Sequence, residues 1–136
     1  MISHRATEST EVELERINAL TKRIIGCAIE VHRQLGPGLL ESIYESALCV
    51  ELELAGLQFQ RQVPVSVPYK TQIIGDLRLD LLVENLVVVE IKSVERIESV
   101  FEAQVLTYLK VSGKKVGLLI NFNSRLLKTG IQRFIL

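Results

Sequence analysis

The spacing of apolar residues changes near Gly56, and this change limits the folds that the chain can adopt. Upstream of Gly56, apolar residues recur at steps of three and four, which places them on one side of an α-helix. A first helix is predicted over residues 11–35, and its apolar stripe is Ile17, Leu20, Ile24, Ala28, Val31 and Leu35. Downstream of Gly56, apolar and polar residues alternate, which is typical of half-buried β-strands.

The first helix is followed by "GPG" at residues 36–38, a sequence that ends helices. A second helix is predicted from Leu39 to Ala55, because Gly56 then stands where glycine is preferred after a helix. The apolar residues predicted for its buried side are Tyr44, Ala47, Leu48 and Leu54.

Further along the chain, strands are predicted over residues 57–69, 73–83 and 86–92, a helix over 97–111, a strand over 116–122 and a last strand in "IQRFIL". Pro64 and Pro68 lie in the first strand, and because proline has no backbone N–H, this strand is expected at a sheet edge or with a bend. The third helix permits the strands on either side of it to pair in parallel. The order α-α-β-β-β-α-β therefore predicts an α/β fold with a mixed central sheet flanked by helices.

The length of 136 residues fits a tail over residues 1–10 and one domain over residues 11–136. No apolar run approaches the roughly 20 residues that a membrane helix needs, so no membrane association is expected. The opening "MISHRATESTEVELE" lacks the apolar segment of a secretory signal, which predicts a cytoplasmic protein. In that reducing compartment, Cys27 and Cys49 are expected to be buried free thiols.

Charge limits the partners that the chain can bind. It has 16 basic and 16 acidic residues and no formal net charge, whereas proteins that contact many phosphates usually carry a basic excess. Any contact with nucleic acid must therefore depend on a local patch, a metal ion or a partner.

The second and third strands carry charged residues at positions where apolar ones would pack more easily. With a three-residue connection over residues 84–86, Val83 faces Val87, and Asp80 then lies opposite Glu90. Their Cβ atoms would be about 4.5–5.5 Å apart. Lys92, two residues after Glu90, projects from the same face. An equally simple interpretation is a solvent-exposed ion pair with Lys92, because a register slip of one residue would separate the two acids.

Two carboxylates that close repel each other, and a bound cation would reverse this penalty. Carboxylate oxygens suit hard cations such as Mg²⁺ or Mn²⁺, and the backbone carbonyl of Ile91 could add another oxygen. A cation with a neighbouring ammonium group suits hydrolysis of a phosphodiester. The candidate site therefore consists of Asp80, Glu90, Lys92 and the Ile91 carbonyl.

An acid, nine intervening residues and then "EIK" resemble the PD-(D/E)xK motif of the nuclease superfamily that includes restriction endonucleases and RecB-like exonucleases. Leu79-Asp80 stands where many members have Pro-Asp. The segment "GLLESIY", residues 38–44, is similar to the signature of the GxxExxY proteins, a mostly uncharacterised bacterial group within that superfamily. The segments "VEIKS", "AQVLTYLK" and "GLLINF" also look like that group's pattern, so the resemblance covers about residues 17–130. It implies a restriction endonuclease-like core.

The resemblance also implies roles for residues outside the hairpin. Glu41 matches the helix glutamate that completes the metal site in RecB-like enzymes, although a glutamate at a helix start also complements the free amides there. Gln104 and Tyr108, one helical turn apart, match a pair associated with substrate positioning, but a surface amide and a half-buried ring explain them too. Tyr44, one turn from Glu41, is either its support or a core residue.

The sequence thus leads to three functional hypotheses. The first is a Mg²⁺- or Mn²⁺-dependent nuclease that hydrolyses nucleic acid, with DNA favoured over RNA. The second is a catalytically silent module of the same fold that binds nucleic acid or a protein partner. The third is a structural or regulatory subunit that forms a homodimer.

Overall fold

The computed structural model describes the backbone of residues 4–136 and the side chains of residues 10–136. The helices are α1 (His4–Leu35), α2 (Glu41–Leu54) and α3 (Ser99–Ser112). The strands are β1 (Phe59–Tyr69), β2 (Gln72–Val83), β3 (Val87–Lys92), β4 (Val116–Asn121) and β5 (Ile131–Ile135), and a 3₁₀ turn at Leu127–Gly130 precedes β5. This order confirms the predicted sequence of elements, including the final strand. Within residues 4–136, every helix is either too short or too polar to serve as a membrane span.

The five strands form one sheet in the order β1-β2-β3-β4-β5. β3 and β4, which α3 connects, run parallel, and all other neighbours in this sheet are antiparallel. β1 is an edge strand, and its register with β2 shifts between Val67 and Pro68, so both expectations for the proline-containing strand are confirmed. The fold is the predicted α/β fold with a mixed sheet.

Helices cover both faces of the sheet. On one face, buried residues of α1 and α2 pack against alternate residues of the central strands, among them Leu81, Val89 and Ile91. On the other face, Val105 and Leu109 of α3 pack against a second set of strand residues, Leu82, Val88 and Leu119. Because each buried aliphatic side chain contributes roughly 1.5–3 kcal/mol, these two layers fix the helices on the sheet.

The start of α1 differs from the prediction. Residues 1–3 of the predicted tail lie outside the described residues, and the chain is helical from His4 onward, before the expected start at residue 11. Residues 4–10 carry no apolar stripe, so periodicity could not reveal this extension. The flexibility of the tail stays a prediction.

The buried sides of α1 and α2 are mostly as predicted, with two corrections. Leu35 is 41% exposed, since it is the last residue of α1, and Leu54 is 76% exposed. Leu52 is the buried residue at the end of α2, and a residue two positions later lies about 200° further round a helix, which turns Leu54 to solvent.

Both cysteines are buried free thiols, as predicted. Burial is the largest effect that raises the pKa of Cys27 and of Cys49. Neither thiol is therefore an activated nucleophile.

Tyr44 connects the α1–α2 turn to the core. Its ring is fully buried and stacks on Phe122 with 4.7 Å between the ring centroids. Its hydroxyl donates to the Gly36 carbonyl at 2.5 Å and accepts the Leu39 N–H at 3.1 Å. Gly36 and Gly38 have φ values of 67° and 101°, which glycine adopts without steric cost. The turn and the tyrosine together fix where α2 begins.

Replacing Tyr44 by phenylalanine should lower the free energy of unfolding by about 1–2 kcal/mol, because the ring stays packed while two partly buried backbone groups lose a partner. Urea denaturation would measure the change. The control is Tyr69→Phe, at a tyrosine that is 60% exposed, where no change is expected. Equal stability of the Tyr44→Phe variant and the wild type would contradict a role for this hydroxyl in holding the turn.

Candidate active site

The hairpin of β2 and β3 brings two acids together. Its register pairs Val83 with Val87 and Leu81 with Val89, as predicted, and Asp80 and Glu90 are the next two residues along. The regular pairing ends there, and side chains take over the hydrogen bonding. The Ile91 N–H donates to Asp80 Oδ2 at 2.8 Å, and the Asp80 N–H donates to Glu90 Oε1 at 3.2 Å.

The strand β2 is irregular at this point. Leu79 and Leu81 are two residues apart and would share one face of a regular strand. Instead, Leu79 packs in the cluster beside α3 and Leu81 packs in the cluster beside α1 and α2. The alternation therefore breaks at Asp80, where β2 separates from β3. This opening leaves room for the two carboxylates between the strands.

Glu90 is the more deeply buried acid, with 5% of its surface exposed, whereas Asp80 is half-buried. Burial, and then the negative charge of Asp80, raise the pKa of Glu90 to about 9. The positive charge of Lys92 opposes this shift but is the smaller effect. At neutral pH the metal-free pair therefore carries a proton on Glu90.

Lys92 lies at the end of β3, where it pairs with Asn121 of β4. Its ammonium nitrogen is 4.6 Å from the centre of the Phe101 ring on α3, within the range of a cation–π interaction. The Phe122 N–H donates to the Lys92 carbonyl at 2.9 Å. The backbone of Lys92 is thus fixed by β4, and its side chain extends towards α3.

The helix α3 lies over the acid pair. The charges of Glu90 and Asp80 contribute, after burial, to a raised pKa of the half-buried Tyr108. Gln104, one turn earlier, is exposed. The structure therefore places Tyr108 near the acids, whereas Gln104 is exposed to solvent.

Glu41 is the first residue of α2 and is exposed. The start of α2 is close to the end of β3, because the Ser93 hydroxyl donates to the Leu39 carbonyl at 2.6 Å. Among residues 10–136, however, no three His, Cys, Asp or Glu side chains are grouped so that they could hold a metal ion. The structure thus brings Asp80 and Glu90 together without Glu41, whose role as a metal ligand stays a prediction.

A neighbouring polar cluster was not predicted from the sequence. Glu45 of α2 is only 7% exposed, and its two oxygens accept from Arg61 Nε and Gln62 Nε2, both at 2.7 Å. Gln62 Nε2 also lies 3.4 Å from Asp80 Oδ1. One signal was present in the sequence: Arg61 occupies an apolar position in the alternation of β1 and so required a partner.

The donor chemistry of the acid pair fits a hard divalent cation. Asp80 and Glu90 present oxygen atoms from opposite strands, and Glu90 keeps a proton in a buried position that a cation could replace. Mg²⁺ needs only one or two protein carboxylates because it retains several water ligands. The two acids are therefore sufficient as a protein donor set.

The fold and the site together define the class of this protein. It is an α/β domain in which two acids, Asp80 and Glu90, and Lys92 lie where β2 and β3 separate. A protein-family model described as the PD-(D/E)XK nuclease superfamily matches residues 18–134. Because the match spans most of the chain, the chain belongs to this superfamily, and its fold is restriction endonuclease-like. The search of curated proteins and the search of solved structures each gave no significant match.

The buried proton on Glu90 predicts a specific pH dependence of stability. The folded pKa of about 9 exceeds the ordinary value of 4.5, so between these values the folded protein binds more protons than the unfolded chain. The stabilisation that this extra proton gives the folded state is fully present below pH 4.5 and is lost as pH rises through about 9. As pH rises between 4.5 and about 9, the metal-free wild type should therefore lose free energy of unfolding relative to Glu90→Gln. The expected loss is on the order of 1 kcal/mol per pH unit.

Urea denaturation in EDTA at about pH 5 and about pH 8 would measure this difference. Glu53→Gln, at an exposed position on α2, is the matched control and should follow the wild type at both pH values. A stability difference between Glu90→Gln and the wild type that is independent of pH would contradict a protonated Glu90.

Proposed function

We propose that this protein is a Mg²⁺- or Mn²⁺-dependent nuclease that hydrolyses phosphodiester bonds in nucleic acid, with DNA the preferred substrate. The observation that carries the proposal is the pairing of Asp80 with the buried Glu90 at the point where β2 and β3 separate. Membership of a nuclease superfamily supports the reaction class.

Asp80 and Glu90 would hold the cation, with the Ile91 carbonyl as a further oxygen donor. When bound, a divalent cation lowers the pKa of a coordinated water and stabilises negative charge on a phosphate. Lys92 would neutralise charge on the transferred phosphoryl group or orient the attacking water, and its contact with Phe101 keeps the ammonium beside α3. Catalysis would therefore depend on the acids for metal binding and on Lys92 for charge stabilisation.

Residues of the helices complete the proposal. Tyr108, which lies near the acids, would contact the substrate, and Gln104 would do so from the exposed part of α3. Tyr44 would support Glu41 indirectly, since its hydroxyl bonds fix the start of α2. Glu41 would supply a third carboxylate to the metal site.

The finer classification is part of the same proposal. Gly38, Glu41 and Tyr44 support membership of the bacterial GxxExxY group. A cytoplasmic location is also proposed, and the two free thiols agree with it.

A second candidate is a catalytically silent module of the same fold that binds nucleic acid or a protein partner. The formal net charge of zero favours it, as does the absence of a three-acid group among the described side chains. Self-association as a homodimer is compatible with either candidate.

Purified protein with Mg²⁺ or Mn²⁺ should cleave plasmid, linear or single-stranded DNA, and EDTA should abolish cleavage. Lys92→Met, which retains the aliphatic stem, should reduce the rate about 100-fold or more, because a charge that stabilises the transition state is lost. Lys110→Met, at an exposed lysine of α3, is the control and should cleave at the wild-type rate. The nuclease proposal fails if neither DNA nor RNA is cut, or if the Lys92 variant is as active as the wild type.

Calorimetric titration with Mn²⁺ separates the two candidates. A nuclease should bind Mn²⁺, and Asp80→Asn or Glu90→Gln should abolish binding because each removes one of the two acids. Asp76→Asn, at an exposed position of the same strand, should bind as the wild type does. Binding that is absent, or that does not depend on Asp80 and Glu90, favours the silent module.

A further inference from the structure

Gln62 has an unusual backbone conformation directly opposite Asp80. Arg61 pairs with Leu81 and Val63 pairs with Leu79, so Gln62 faces Asp80 in the register of β1 and β2. Its φ of 54° lies in the left-handed region, and no regular pair forms at this position. For a residue with a side chain this conformation is strained, so a contact in the folded state must compensate for it.

The compensation comes from the side-chain amide. Gln62 Nε2 donates to Glu45 Oε1 at 2.7 Å and lies 3.4 Å from Asp80 Oδ1. An amide nitrogen has two protons, so one group can serve both carboxylates. Gln62 thereby links α2 to the acid pair.

Glu45 is itself fixed. It is nearly buried, and a carboxylate in that position is costly unless it is paired. Arg61 Nε supplies the partner at 2.7 Å, and Arg61 Nη2 also donates to the Ser46 hydroxyl at 2.7 Å. Glu45, which accepts from the Gln62 amide, is therefore fixed by its ion pair with Arg61. Arg61 is in turn held by Ser46, the next residue of α2.

The consequence for Asp80 is that both of its oxygens have a defined donor. Oδ2 accepts the Ile91 N–H at 2.8 Å, and Oδ1 faces Gln62 Nε2. These two contacts fix the rotation of the carboxylate before any ligand binds. A preorganised carboxylate binds a cation more tightly because less conformational freedom is lost.

We propose that Gln62 is a positioning residue for Asp80, anchored by Glu45 and Arg61, and that it sets the affinity of the acid pair for a divalent cation. This inference rests on the proposed function, since it assumes that Asp80 binds the metal ion. Removing a group that hydrogen-bonds a metal ligand typically weakens metal binding 10–100-fold, and a loss of about that size is expected here.

Gln62→Gly separates this role from a purely structural one. Glycine adopts the left-handed conformation without strain, so the backbone is favoured while the amide is lost. Calorimetric titration should show Mn²⁺ affinity reduced by about 10–100-fold. Gln62→Asn, whose side chain is shorter but tolerates left-handed φ values, should also bind Mn²⁺ more weakly and provides a second variant if the glycine variant folds poorly.

The matched control is Gln60→Gly, at an exposed glutamine of β1 that pairs with Leu82. Glycine at this regular strand position lowers the melting temperature but should leave Mn²⁺ affinity unchanged. The two glycine variants thus test stability and metal affinity separately.

The possible outcomes can be distinguished. If the wild type binds Mn²⁺ through Asp80 and the folded Gln62 variants bind it equally well, the positioning role is wrong and the proposed function stands. If the wild type shows no Asp80-dependent binding of Mn²⁺, the proposed function fails and the positioning role fails with it. Weaker binding in the Gln62 variants, with wild-type affinity in Gln60→Gly, supports the inference.

Discussion

The rest of the site depends on one constraint, the placement of Asp80 beside Glu90 between two neighbouring strands. The two carboxylates lie where apolar side chains would pack more easily. They take the place of backbone–backbone hydrogen bonds between β2 and β3, because each accepts a hydrogen bond from a backbone N–H of the other strand. Burial and repulsion then leave a proton on Glu90. Because a cation would bind the ionised form of Glu90, metal binding should release this proton.

The helices supply what the hairpin lacks. From one side, α3 brings the Phe101 ring to Lys92 and the Tyr108 ring towards the acids. From α2, Glu45 reaches the pair through Gln62. Apolar packing on the two faces of the sheet fixes both helices, so the geometry of the polar site follows from the core.

Much of the fold could be predicted because the physical signals are local. Alternation and helical periodicity gave the order of elements, and the three-residue connection set the register that places Asp80 beside Glu90. The exposure of Leu54 was missed because it depends on which side of α2 meets the sheet. The early start of α1 was missed because its first residues carry no apolar stripe in the sequence.

The sequence by itself determined the elements, the hairpin register and the acid pair, because strand period and turn length act over a few residues. Only the tertiary structure decided that Glu45 contacts the Gln62 amide, and that Gln62 adopts a left-handed conformation opposite Asp80. Those contacts join α2 to β1 and β2, and their geometry depends on how the core packs. A local pattern of residues cannot predict the distances between Glu45, Gln62 and Asp80, because the packing of α2 against the sheet sets them.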